Sequence, residues 1–209
     1  MKKLIGLMGL VVLFSLPTFA QDTPAFEVNG GYTYRSWDTP DSPRFNMNGW
    51  NAGATFNVNH WLGAVANFDG TYNHQAADLA DEFPPVDTAI YTYMFGPRVY
   101  PLGHHKLTPF AQALFGGSHV NAHSPSFVCD DVSRRRAGGT TCPAFTETDD
   151  RFAFSFGAGI DLSIGSHWAI RLADAEYERT GFFGAGSEGA PYQNNFKYSA
   201  GIVYRIGQR

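Results

Sequence analysis

The chain has 209 residues, enough for one domain with a substantial core or a small barrel. Lysine and arginine number 15 against 19 aspartates and glutamates, a net charge of −4 that removes any electrostatic case for nucleic-acid binding. Charged residues make up 16%, aromatics 15%, and only the N-terminus carries a long apolar run, so helical membrane spans are excluded beyond it.

Residues 1–20 have the parts of a secretory signal peptide: Lys2 and Lys3 as the basic end, an apolar stretch from Leu4 to Leu16, and Thr18-Phe19-Ala20 as a cleavage site. Removing it leaves 13 basic residues against 19 acidic ones, a net charge of −6. The mature domain then runs over residues 21–209.

From there the chain alternates. In residues 25–37, Phe26, Val28, Gly30, Tyr32 and Tyr34 face one way and Glu27, Asn29, Thr33 and Arg35 the other. Alternation with period 2 is the signature of a β-strand with two unlike faces. Residues 38–43 (D-T-P-D-S-P) read as a loop. A second strand over 45–58 sets Trp50, Ala52, Ala54, Phe56 and Val58 against Asn51, Gly53, Thr55 and Asn57. After a tight turn at Asn59-His60, a third over 61–73 sets Leu62, Ala64, Ala66, Phe68 and Tyr72 against Val65, Asn67, Asp69, Thr71 and Asn73.

A polar loop over 74–88 precedes a fourth strand, 89–100, with Tyr91, Tyr93, Phe95 and Val99 outward and Thr92, Gly96 and Arg98 inward. Pro97 cannot donate to a ladder and predicts a bulge there. The fifth strand, 107–119, turns Ala111, Ala113 and Phe115 out and Gln112 and Leu114 in. Residues 120–149 hold no sustained period and form the longest predicted loop. The clearest strand follows over 151–165, with Phe152, Phe154, Phe156, Ala158, Ile160, Leu162 and Ile164 on one face and small or polar residues, including Asp161, on the other. It exceeds the roughly 9–11 residues that a strand needs to cross a bilayer. The seventh strand, 168–180, turns Ile170, Leu172, Ala175 and Tyr177 out and Arg171, Asp174 and Glu176 in; its slip of phase between Leu172 and Ala175 predicts a bulge. After a Gly-rich loop over 181–192, the eighth strand, 193–206, sets Phe196, Tyr198, Ala200, Ile202, Tyr204 and Ile206 against Lys197, Ser199, Gly201, Val203 and Arg205.

Eight strands joined by alternately long and short connections predict an all-β fold, an eight-stranded antiparallel up-and-down transmembrane β-barrel. The long loops, 38–44, 74–88, 120–149 and 181–192, lie outside the cell, and the even strand count puts both termini in the periplasm. A soluble barrel of the lipocalin type would carry more Lys and Glu on its outer face. Here the non-apolar face holds Gly, Ala, Ser and Asn with isolated charges, Glu27, Asp69, Arg98, Asp161, Arg171, Glu176, Lys197 and Arg205, which suits a narrow interior. Tyr32, Tyr34, Trp61, Tyr72, Tyr91, Tyr93, Trp168 and Tyr204 fall near strand ends, as in interfacial girdles.

The segment Ser199-Ala200-Gly201-Ile202-Val203-Tyr204-Arg205-Ile206 resembles the C-terminal β-signal read by the outer-membrane assembly machinery, with Ser199, Gly201, Tyr204 and Ile206 at its key positions and Ile206 where an aromatic is usual. More broadly, F-G-P-R (95–98), T-P-F-A-Q-A-L-F-G-G (108–117), F-G-A-G-I-D (156–161) and N-N-F-K-Y-S-A-G-I-V-Y-R (194–205) resemble small outer-membrane β-barrel proteins of the OmpA-like transmembrane-domain and opacity-protein type. That resemblance implies a bacterial outer-membrane location and contact with outer-membrane lipid. Such barrels serve as scaffolds, adhesins, narrow pores and occasionally enzymes.

Cys129 and Cys142, the two cysteines, lie in the longest loop of an exported chain and are expected to form a disulfide. Interior charges must pair, or line a narrow water path. Arg134-Arg135-Arg136, beside Asp130 and Asp131, is read as solvated, with contact to lipid phosphates or an acidic partner as the alternative; Asp78, Asp81, Glu82 and Asp87 make an acidic second loop, where calcium binding is conceivable but EF-hand spacing is lacking. His104-His105 is expected to be exposed in a periplasmic turn. Ser118, His119, His123 and Ser124 contain the residue types of a barrel hydrolase, whose chemistry needs Ser, His and an acid assembled in space. The expectation is a monomeric, non-enzymatic envelope barrel without cofactor or metal, with a structural or surface-interaction role. The alternatives are a narrow ion or small-solute pore and, behind it, a lipid-modifying barrel enzyme. No partner of the outer loops can be named from the residues.

Overall fold

The structure, a computed structural model, describes residues 23–39, 42–75, 86–125, 127–129, 140–181 and 193–208. The proposed signal peptide lies outside these residues. Ten strands follow in order: β1 (Pro24–Thr39), β2 (Ser42–Asn57), β3 (Leu62–Gln75), β4 (Val86–Val99), β5 (Leu107–Ser124), β6 (Phe127–Cys129), β7 (Thr140–Cys142), β8 (Phe145–Ser163), β9 (Trp168–Thr180) and β10 (Gln193–Gln208). Eight of them close a barrel in the order β1-β10-β9-β8-β5-β4-β3-β2, while β6 and β7 pair only with each other. Every neighbour in the wall is antiparallel. The first and last strands pair from Pro24 opposite Gln208 to Ser36 opposite Phe196, so the wall has no open seam.

The period-2 pattern explains which side chains face which way. On β8, Phe152, Phe154 and Phe156 are exposed while Ala153, Ser155 and Asp161 are buried. The same inversion of a soluble protein holds around the barrel: the large exposed hydrophobics are outside, and the buried charges are inside. The eight expected girdle aromatics are all exposed. Trp168 packs on Tyr204 near the short turns, with ring centroids 4.7 Å apart, and Tyr72 meets Tyr91 edge-on at 5.9 Å toward the other end.

The bulge on β9 is where the phase slip puts it. Ile160 stands opposite Ala173 and Asp161 opposite Arg171, so β9 carries one residue more than β8 at that point. The extra residue switches parity, turning both Arg171 and Asp174 inward. Pro97 behaves otherwise. Pairing of β4 with β5 has the same register at Phe95–Phe115 and at Arg98–Gln112, so no residue is inserted and the expected bulge is absent. A missing donor interrupts a ladder locally without shifting it.

Three short connections gather at one end. Asn59 builds the first, its Oδ1 accepting from the backbone N–H of Trp61 and Leu62 at 2.9 and 2.8 Å. In the second, Gly103 adopts a left-handed conformation (φ 69°). The third is closed by Ile164 N–H donating to Trp168 O at 2.9 Å. Pro24 is at this end too, its carbonyl accepting from Asn57 Nδ2 at 2.9 Å.

At the other end the strands run further than the alternation reaches. β1 continues to Thr39, which stands opposite Ser42, so the expected 38–44 loop shrinks to positions 40 and 41. The expected 120–149 loop is shortened from both sides: β5 extends to Ser124 and β8 begins at Phe145, and the β6–β7 hairpin lies between them. The physical reason is solvent. Above the apolar band both faces of a strand meet water, so hydrophobic alternation fades while the backbone ladder continues.

Candidate functional site

The eight charges expected inside are all buried, and Arg35, Asp174 and Glu178 join them. Among the described interior residues this makes five cations and six carboxylates, a set close to neutral. They form two groups. Toward the long-loop end, Lys197 Nζ lies 2.8 Å from Asp69 Oδ1 and 3.3 Å from Glu176 Oε1. Arg35 Nη2 lies 2.6 Å from Asp69 Oδ2 and 3.2 Å from Glu178 Oε2. Ser155 and Thr92 extend this group, donating to Glu176 and accepting from Arg35 at 2.7 and 3.0 Å. Two cations thus bridge three carboxylates drawn from strands on opposite sides of the barrel, which cross-links the wall through its centre.

Toward the short turns, Arg171 grips Asp161 with Nε and Nη2 at 2.9 and 3.1 Å. Such a two-pronged pair combines charge with fixed geometry. Arg98 donates to Gln112 Oε1 from Nε and Nη2 at 2.9 and 2.6 Å. Both guanidinium groups also lie over the Phe110 ring, at 4.2 and 4.7 Å from its centre. At the mouth, Arg205 Nε donates to Glu27 Oε1 at 3.1 Å and Tyr100 Oη to Glu27 Oε2 at 3.2 Å. Burial pushes the Tyr100 phenol above its ordinary pKa, which keeps it a neutral donor.

His104 corrects an expectation. It is buried at 6% exposure, its ring 4.2 Å from that of Tyr100 and its Nε2 3.6 Å from Glu27 Oε1. The left-handed Gly103 turns the chain back under the barrel, so the imidazole caps the lumen instead of meeting solvent. Apolar side chains fill other levels: Val65, Met94, Leu114 and Ala153 form one cluster, and Trp37, Met47, Ile90 and Val120 another toward the long-loop end, with Phe45 against it.

The hydrolase residue types are not assembled. Ser118 and Ser124 are buried inside, whereas His119 and His123 face outward, where they meet Asp150 (2.8 Å) and Thr146 (3.0 Å). Successive residues of a strand point to opposite faces, so sequence neighbours are separated by the wall itself. No three His, Cys, Asp or Glu side chains converge as metal ligands among the described residues. Asp87 meets His74 on the outer face; Asp78, Asp81, Glu82, Asp130, Asp131 and Arg134 to Arg136 lie outside the described residues. In the β6–β7 hairpin Cys129 stands opposite Thr140 and Cys142 opposite Phe127; their side chains lie outside the described residues. In the expected assembly signal, Ser199 is buried while Tyr204 and Ile206 are exposed on the outer wall.

Some interior members were missing from the expected set. Glu178 lies two residues beyond Glu176 on the inward face of β9, and Phe110 two before Gln112 on β5, so parity could have placed both. Tyr100, two after Arg98, follows the same parity, whereas no sequence signal places His104, which lies in a turn.

A closed antiparallel wall with an apolar exterior and a paired, charged interior defines a transmembrane β-barrel, for a sheet satisfies its backbone inside a bilayer only when it closes. The chain belongs to the outer membrane protein beta-barrel domain family, whose model matches residues 7–205. Its location is accordingly the outer membrane. Similar solved structures include Ail, the attachment invasion locus protein of Yersinia pestis, at 17% identity and TM-score 0.57, covering 88% of this chain and 99% of that one. Neisserial surface protein A follows at 10% identity and TM-score 0.60, covering 87% and 97%. OprG of Pseudomonas aeruginosa aligns at 10% identity and TM-score 0.51, covering 89% and 97%. These likenesses concern the fold. No curated protein matches the sequence.

Proposed function

We propose that this protein is a plugged outer-membrane barrel that acts by presenting a surface outside the cell. One observation carries the reading. β8 pairs with β5 as far as Phe145 opposite Ser124, but its pairing with β9 stops at Ala153 opposite Thr180. Residues 145–152 therefore stand beyond the end of β9, with no partner strand on that side among the described residues. An open strand edge accepts an added strand, which gains affinity from main-chain hydrogen bonds. The edge is acidic, with Glu147 and Asp150 exposed and Asp149 paired with Arg151 at 3.1 Å. The fitting partner is an extended, basic peptide segment. The three short turns and Pro24 share one end, which supports periplasmic termini and an outward-facing β5–β8 ladder. The signal peptide and the Cys129–Cys142 bond belong to the same reading, since both suit an exported chain.

The test compares cells displaying the wild-type barrel with cells displaying a Glu147→Lys/Asp150→Lys variant, probed with labelled lysine-rich extended peptides. Capture by the wild type that is lost on charge reversal supports the reading. Equal capture by both, with the barrel folded, overturns it.

A further inference from the structure

Across the outer wall, Ala111 of β5 stands opposite Ala158 of β8, which stands opposite Ala175 of β9. Three small side chains in register leave a trough, and the row continues through Tyr198 and Tyr34. The row on the long-loop side is aromatic: Phe156, Tyr177 and Phe196 are successive register partners with ring centroids 5.1 and 5.6 Å apart. Between wall and trough lies an open groove of about 710 Å³. It belongs to the apolar exterior, where hydrocarbon is the solvent.

The next row up changes character. Arg179 stands opposite Asn194 and is exposed. Arg44, also exposed, reaches across from β2 and donates to Asn194 O at 3.1 Å. Tyr177 Oη donates to Asn194 Oδ1 at 2.5 Å, tying the aromatic wall to the same residue. Two exposed arginines, one bonded to Asn194 and the other its register partner, thus stand at the outer end of an apolar groove.

We propose that this is a binding site for a phosphate-bearing acylated lipid of the outer leaflet, with an acyl chain in the alanine trough and its phosphate at Arg44 and Arg179. The chemistry favours this occupant. A guanidinium presents donors in a fork that matches phosphate, and its five N–H groups let an anion add to the contacts already made. Aliphatic chain suits the trough because the alanines leave room and the aromatic wall closes one side. A second copy of the chain is the rival occupant. A two-fold contact presents the same patch from both sides, so it would bring the arginines of both copies toward one another. The proposal rests on the barrel standing in a bilayer with these arginines outward, and a gel-shift check of the folded barrel separates failure of that premise from failure of the site.

The full chain, purified in detergent, is mixed with diphosphoryl lipid A, with its dephosphorylated form and with phosphatidylethanolamine, and retained lipid is read by native mass spectrometry. The wild type is expected to hold one diphosphoryl lipid preferentially. Arg44→Gln/Arg179→Gln should weaken retention about tenfold, equivalent to about 1.4 kcal/mol. Ala175→Phe, which fills the trough, should do the same with both arginines in place. Equal retention by both variants overturns the site, as does equal retention of the dephosphorylated lipid. So does a dimer that Ala175→Phe dissolves while lipid retention is unchanged. The arginine variant changes only exposed side chains, so it reports even if Ala175→Phe does not fold.

Discussion

The ring of Phe110 occupies the space that a side chain at residue 159 would need: a Cβ on Gly159 would stand 2.3 Å from Phe110 Cζ and 2.5 Å from the Ala173 carbonyl oxygen. The two residues are register partners on β5 and β8. The absence of a side chain on one strand thus lets an aromatic ring from the next lie inside a narrow barrel. That ring in turn carries the guanidinium groups of Arg98 and Arg171. Cation–π contacts of this kind are worth about 2 kcal/mol when desolvated.

Gly159→Val should therefore destabilise the barrel by about 1–3 kcal/mol, the usual range for overpacking. The measurement is the urea midpoint of reversible folding, read by the heat-modifiable gel shift. Gly165, with nothing within 4 Å of an added Cβ, is the control. Gly165→Ala should fall within about 0.5 kcal/mol of the wild type, as surface changes do. Equal midpoints for the two variants would show that the ring has room to move.

Lys197 holds Asp69 and Glu176 at 2.8 and 3.3 Å, with Glu178 at 4.0 Å. Lys197→Met removes the cation and leaves buried carboxylates facing one another, a loss of about 3–5 kcal/mol. Pairing it with Glu176→Gln should recover part of that loss, because Asp69 and Glu178 keep Arg35 while Glu176 has Lys197 as its ion-pair partner among the described residues. A double variant no more stable than the single one, in the same urea titration, argues that the lysine matters for its packing alone.

In a planar bilayer the folded wild type should show no steady conductance, since charge pairs, Phe110 and the apolar clusters occupy successive levels of the lumen. Phe110→Ala removes the ring beneath both guanidinium groups and should admit a salt-dependent leak. A wild-type barrel that conducts steadily would move the narrow-pore reading ahead of the plugged one.

Opposite facing on one strand gives a labelling test. Ser118 is buried and His119 faces out. On intact cells His123→Cys should react with a membrane-impermeant maleimide, while Ser118→Cys should not. His167→Cys, in a short turn, should react only after the outer membrane is opened. The native Cys129 and Cys142 are first replaced by Ser. Mass analysis of the unreduced native chain checks their bond, as a loss of two hydrogens. Labelling of residue 167 on intact cells would reverse the orientation of the barrel.

The alternation of Phe152, Phe154 and Phe156 against Ala153 and Ser155 was enough to determine a strand, its two faces and, repeated eight times with long and short connections, a membrane barrel. Side-chain direction along a strand is a local property, so the interior position of Glu27, Asp69, Arg98 and Lys197 could be read from parity, and the β9 bulge from a slip in it. Tertiary structure decided what parity does not carry. Which carboxylate meets Lys197 depends on register between strands far apart in sequence: Asp69 is 128 residues away. The reach of β5 and β8 above the membrane depends on backbone pairing that persists after hydrophobic contrast is gone. The return of His104 beneath Glu27 depends on one left-handed glycine in a turn, where no period exists to read. The lipid groove is likewise invisible in any one strand, because Ala111, Ala158 and Ala175 become neighbours only when β5, β8 and β9 pair in register.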